Sequence, residues 1–123
     1  MQNIPLVTII IPVYNGARYL SAAIDSALQQ SYQRIEVLVV NDGSTDNGDS
    51  EKVILGYGDK VRYFKKPNGG VSSALNMGVR EMEGEYMSWL CQDDVYSPDK
   101  IEKQIEQVLS AAGNKVIPFC STR

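Results

Sequence analysis

The sequence predicts an open, three-layer α/β/α domain built on a mainly parallel sheet. Three observations lead there. Runs rich in β-branched residues alternate with stretches of helical period at roughly 25–30 residues per unit, the spacing of βαβ crossovers. The runs are apolar without alternation, as in strands covered on both faces. They also end in polar, glycine-rich clusters, where an open parallel sheet binds its ligands.

Taken in order, Val7-Thr8-Ile9-Ile10-Ile11, closed by Pro12, is the first strand. Tyr19, Leu20, Ala23, Ile24, Ala27 and Leu28 recur every three or four residues and predict a helix ending near Gln30. Ile35 to Val40 reads as the second strand, ending at Asn41-Asp42-Gly43. A shorter helix is expected from Asp46 to Leu55, stopped by Gly56 and Gly58. Val61-Arg62-Tyr63-Phe64 is the third strand, and Pro67-Asn68-Gly69-Gly70 forces a turn. Val71, Ala74, Leu75, Gly78, Val79 and Met82 mark the next helical face. Tyr86 to Leu90 is strand four, running into Gln92-Asp93-Asp94. Ser97-Pro98 reads as a helix start, with Ser as cap and Pro in the first turn. Ile101, Ile105, Val108 and Ala112 carry the apolar face behind it, and Lys115 to Phe119 is expected to be a fifth strand.

Composition bounds the rest. The 123 residues are 43% hydrophobic and 22% charged, which suits one folded domain over 1–123 and excludes disordered, collagen-like and disulfide-scaffold classes. Twelve basic against fifteen acidic side chains give a net charge of −3, with no basic stripe, so nucleic acid is not expected as a partner. Histidine is absent, which removes a His general base, a Ser-His-Asp triad and a His-ligated zinc from this chain. Cys91 and Cys120 form no metal-ligand or redox pattern and read as reduced thiols of a cytoplasmic protein. The apolar run from Ile4 to Val13 is too short for a membrane span and lacks the basic start of a signal peptide.

The polar clusters collect at four strand ends: Pro12-Val13-Tyr14-Asn15-Gly16, Asn41-Asp42-Gly43-Ser44-Thr45-Asp46, Asn68-Gly69-Gly70-Val71-Ser72-Ser73 and Gln92-Asp93-Asp94. Taken singly, Asp42-Gly43-Ser44 also reads as a turn with a helix cap, and Asn68-Gly69-Gly70 as a tight loop. Two adjacent carboxylates after a buried strand repel each other unless they are solvated, capped or bound to a cation. Carboxylates alone would also repel a phosphate, so a nucleotide here calls for Mg²⁺ or Mn²⁺, hard cations that take oxygen ligands. The Gly69-Gly70 turn entering a helix offers backbone N–H groups suited to an anion. Neither a phosphate-loop motif nor a G-x-G-x-x-G fingerprint is present, which disfavours an ATPase or an NAD enzyme.

These segments resemble family 2 glycosyltransferases, inverting enzymes of the Rossmann-like GT-A fold that use nucleotide-diphosphate sugars. The resemblance runs from about residue 6 to residue 105. It rests on Val7 to Asn15 followed by Tyr19-Leu20, on Val39-Val40-Asn41-Asp42-Gly43-Ser44-Thr45-Asp46, on Asn68 to Gly78, and on Gly84-Glu85-Tyr86 through Asp94 with Pro98 beyond. It implies a base pocket lined by Pro12, Val13 and Tyr14, with Asn15 on the same segment. Asp42 would accept the N3–H of uracil or thymine. Asn68, Gly70 and Ser73 would lie on the segment closing the donor pocket. Asp94 would be the main metal ligand, and Asp93 would contact the ribose or the sugar–metal region. Three positions depart from the family pattern: Cys91 and Asn41 where acidic residues are common, and Leu75 where Arg is frequent.

The implied reaction is metal-assisted transfer from a UDP-sugar to an acceptor hydroxyl with inversion, as in polysaccharide or cell-wall synthesis. The family's base lies downstream of the metal motif, so the chain is expected to be the N-terminal, donor-binding half of a longer enzyme and inactive alone. The longer enzyme could associate with a membrane, and the last strand is expected to favour self-association. The competing readings are a non-catalytic sugar-nucleotide-binding module and a phosphorylation-responsive receiver domain. The latter lacks its acidic pair, because Val13-Tyr14-Asn15 occupies the first strand end.

Overall fold

The computed structural model describes residues 4–111. Its elements are β1 (Val7–Val13), α1 (Ala17–Leu28), β2 (Ile35–Asp42), α2 (Asp49–Leu55), a 3₁₀ turn (Gly58–Lys60), β3 (Arg62–Lys66), α3 (Val71–Glu81), β4 (Tyr86–Trp89) and α4 (Lys100–Ala111). The strands form one parallel sheet in the order β3-β2-β1-β4. The expected fifth strand lies outside the described residues.

Alternation along β1 builds the layers. Ile9, Ile11 and Val13 face a core shared with Leu20, Ala23, Ile24 and Ala27 of α1, Ile54 of α2, and Ile101, Ile105 and Val108 of α4. Ile10 faces the other way and meets Leu38, Val40 and Ala74 of α3. Each fully buried Ile or Leu contributes about 1.5–3 kcal/mol. At Gly78 of α3, an added Cβ would sit 2.7 Å from the Ile10 Cγ2. The second layer therefore approaches β1 so closely because the helix presents a bare backbone there.

The helix boundaries shift from those expected, for local reasons. α2 starts at Asp49 rather than Asp46 because Asn47 (φ 58°) and Gly48 (φ 82°) are both left-handed, a conformation no helix continues. Asp46 serves instead as an anchor: its Oδ2 accepts from the Ser50 backbone N–H at 3.1 Å and from Ser50 Oγ at 2.6 Å. α4 begins at Lys100, with Ser97-Pro98 forming the turn before it. α1 ends at Leu28, and β3 runs two residues further than expected, to Lys66. No described helix is long and apolar enough to cross a membrane.

Candidate active site

The strands' carboxyl ends open onto one cleft of ≈ 140 Å³. Pro12, Val13 and Tyr14 supply one wall after β1, and Asp42 comes from the end of β2. Val71 and Ala74 enter from α3, and Trp89, Cys91, Gln92 and Asp93 from β4 and the loop behind it. Parallel pairing explains the convergence, since every strand delivers its C-terminal residues to the same edge.

Tyr14 stands half in solvent at the cleft mouth, and its backbone is clamped from across the sheet. The Tyr14 N–H donates to Gln92 Oε1 at 2.7 Å, and Gln92 Nε2 donates to the Tyr14 carbonyl at 3.0 Å. Gly16 leaves room for this clamp, since a Cβ there would fall 2.4 Å from Gln92 Oε1. Asn15 does not line the cleft and ties the β1 turn to the β2 turn. Its N–H donates to Ser44 Oγ at 3.0 Å, and its Oδ1 accepts from the Thr45 N–H at 2.7 Å.

Asp42 is the most constrained group at the rim, with its side chain only 5% exposed. Oδ1 accepts from Lys66 Nζ at 3.0 Å and from the Gly69 N–H at 2.9 Å. Oδ2 accepts from the Gly70 N–H at 2.9 Å and from Asn68 Nδ2 at 3.3 Å. Burial works against the charge on this carboxyl. The hydrogen bonds from Lys66, Gly69 and Gly70 outweigh it, and the pKa lies below the ordinary aspartate value. The anion seated on the Gly69 and Gly70 amides is thus the chain's own Asp42. Gly43 permits the contact: it has φ +70°, and a Cβ on it would meet the Asn68 backbone nitrogen at 2.5 Å. Ser73 sits beside Gly69 and off the cleft wall.

The two adjacent aspartates part company. Asp93 is exposed and lines the cleft with Asp42, whereas Asp94 is buried just behind and its Oδ1 accepts from the Val95 N–H at 2.8 Å. Among the described residues no group of three or more His, Cys, Asp or Glu side chains could hold a metal. An all-protein metal cage is therefore absent from that region. Of the pair only Asp93 lines the cleft, where its exposed carboxylate fits Mg²⁺ or Mn²⁺ of the kind that keeps waters and shares its coordination with substrate phosphates.

Sequence reasoning missed Lys66 and Gln92 as site residues. Lys66 is set directly beside Asp42 by the β2–β3 register, a pairing that no local feature of the sequence signals. Gln92 stands in the polar cluster after strand four, but nothing local marks it as the clamp on Tyr14, 78 residues away.

With this geometry in view, the comparisons are specific. Residues 8–117 match the family model described as glycosyl transferase family 2. An uncharacterised glycosyltransferase of Rickettsia felis is 62% identical over 111 residues, which cover 90% of this chain and 18% of that protein. Among solved structures, S. aureus TarS 1-349 in complex with UDP-GlcNAc superposes with a TM-score of 0.71 at 24% identity, over 83% of this chain and 31% of that one. The mannosyltransferase PcManGT of Pyrobaculum calidifontis, in complex with GDP-Man and Mn²⁺, gives 0.71 at 25% identity, over 83% of this chain and 32% of that one. The fold is that of the GT-A glycosyltransferases, and the chain belongs to glycosyltransferase family 2.

Proposed function

We propose that this chain is the donor-binding part of an inverting glycosyltransferase that takes a nucleotide-diphosphate sugar, with a UDP-sugar favoured. One observation carries the reading: a cleft at the sheet's carboxyl edge is walled by the Pro12–Tyr14 turn, the ionised Asp42 and Asp93. The complexes of the structural relatives with UDP-GlcNAc and GDP-Man support the substrate class.

In this reading Tyr14 packs against the base, held in place by Gln92, and Asp42 offers an acceptor to a ring N–H. Asp93 and Asp94 would hold Mg²⁺ or Mn²⁺ beside the diphosphate. Such a cation, when bound, supplies charge neutralisation for the departing diphosphate. Inversion requires a carboxylate base on the acceptor side. No described residue is assigned that role, and the part of the reaction proposed for this chain is donor binding. The self-association expected through the last strand, which lies outside the described residues, would appear in light scattering as mass rising with concentration.

Calorimetry with UDP, with and without Mn²⁺, tests the proposal. Metal-dependent binding that is lost in Asp94→Ala is the expected result. Metal-independent binding that survives Asp94→Ala would instead make the chain a non-catalytic nucleotide-binding module.

A further inference from the structure

Asp42 faces the cleft with nothing left to offer. A carboxylate has about four lone-pair positions. Lys66, Gly69, Gly70 and Asn68 occupy all four in this structure. A nucleobase can bond to this carboxylate only if one of those donors yields. The geometry identifies which one.

Three of the four are short, at 2.9–3.0 Å, and although Lys66 Nζ also donates to the Pro67 carbonyl at 2.6 Å, it carries the charge that balances this carboxylate. The Gly69 and Gly70 amides would be left without a protein acceptor, and moving Lys66 would strip a buried carboxylate of its cation. The fourth is different. Asn68 Nδ2 lies 3.3 Å from Asp42 Oδ2, and the same nitrogen already donates to the Asp42 backbone carbonyl at 2.9 Å. Releasing Oδ2 leaves the Asn68 amide on its better acceptor, so the exchange orphans no polar group.

Resting on the functional reading above, we propose that Asn68 is a placeholder donor: its amide occupies the Asp42 Oδ2 position until a ring N–H of the nucleobase takes it. Lys66 and the two glycine amides stay bonded throughout and hold the carboxylate in position. Base binding is then a swap of donors on a pre-set acceptor, with no opening of the 67–70 loop. The position selects bases that present a ring N–H beside a carbonyl, namely uracil, thymine and guanine. Cytosine and adenine present a lone pair at that point and would face the carboxylate acceptor to acceptor.

The test is a ¹⁵N NMR titration of the 123-residue chain with UDP, CDP and GDP in the presence of Mg²⁺. UDP is expected to shift the Asn68 side-chain amide signals while the Gly69 and Gly70 backbone amides stay protected from exchange. CDP is expected to bind at least about tenfold more weakly, the loss of one charge-assisted hydrogen bond, and to leave Asn68 unmoved. UDP binding with the Asn68 amide unchanged, or with the glycine amides released, overturns the placeholder role and leaves the functional reading standing. Failure of both UDP and GDP to bind overturns that reading and the placeholder together. As a second measurement, Asn68→Ala, shown to be folded by its thermal melt, should keep the preference for UDP over CDP, because the ring N–H still meets Asp42 Oδ2. A tenfold weaker complex in a folded variant would mark Asn68 as a direct contact or a loop support instead.

Discussion

Replacing Lys66 by Met isolates the ammonium that holds Asp42. The substitution keeps a stem of similar length against the sheet and deletes the charge with its two hydrogen bonds, to Asp42 Oδ1 at 3.0 Å and, at an exposed site, to the Pro67 carbonyl at 2.6 Å. The two side chains are 15% and 5% exposed and lie 3.0 Å apart, so solvent screens this pair little. Breaking a buried ion pair costs about 3–5 kcal/mol when the remaining charge is stranded. Here Asp42 retains three N–H donors, from Asn68, Gly69 and Gly70, so the cost falls to the value of one hydrogen bond to a charged group, about 2 kcal/mol. For a domain of this size that lowers the melting temperature by about 8 °C.

The same variant carries a pH signature. Asp42 titrates below its ordinary value in the folded chain, so its contribution to stability is present above that ordinary value and disappears as pH falls through the depressed one. Without Lys66 the folded value rises, and the acid limb of the stability profile moves to higher pH. The parent and variant curves should then converge in acid, once Asp42 is protonated in both. Thermal melts followed by circular dichroism from neutral pH into acid supply the measurement. Equal melting temperatures at pH 7, or a gap that stays constant into acid, would refute the reasoning that Lys66 stabilises through this carboxylate.

Two further substitutions probe the close approaches. Gly78→Ala should destabilise the chain by about 1–3 kcal/mol, read by urea unfolding, because its methyl would meet the Ile10 side chain at 2.7 Å in a filled layer. An unchanged midpoint would show that α3 can shift away from β1. Gly43→Ala adds strain at a positive φ and places its Cβ 2.5 Å from the Asn68 backbone nitrogen, lifting the 67–70 loop from Asp42. It should weaken UDP about tenfold or more in calorimetry while the far-ultraviolet spectrum stays unchanged. Undiminished UDP binding would separate the loop's placement from nucleotide affinity.

Periodicity alone determined the architecture. Runs rich in β-branched residues such as Val7–Ile11 and Val37–Val40 read as strands covered on both faces, and the three-and-four spacing of Leu20, Ala23, Ile24 and Ala27 reads as a helix packed along one side. The strand-end positions of Tyr14, Asp42 and Asp93 follow from that pattern, because a parallel sheet sends all its carboxyl ends to one edge. What the tertiary structure decided is which of these groups meet and which bonds they use. Gln92 clamps Tyr14 across 78 residues, Lys66 pairs with Asp42 across 24, and Asp94 turns inward while its neighbour Asp93 lines the cleft. Local propensity carries no information about such pairs. Their partners are chosen by strand order and register, which exist only once the sheet has closed against both helical layers.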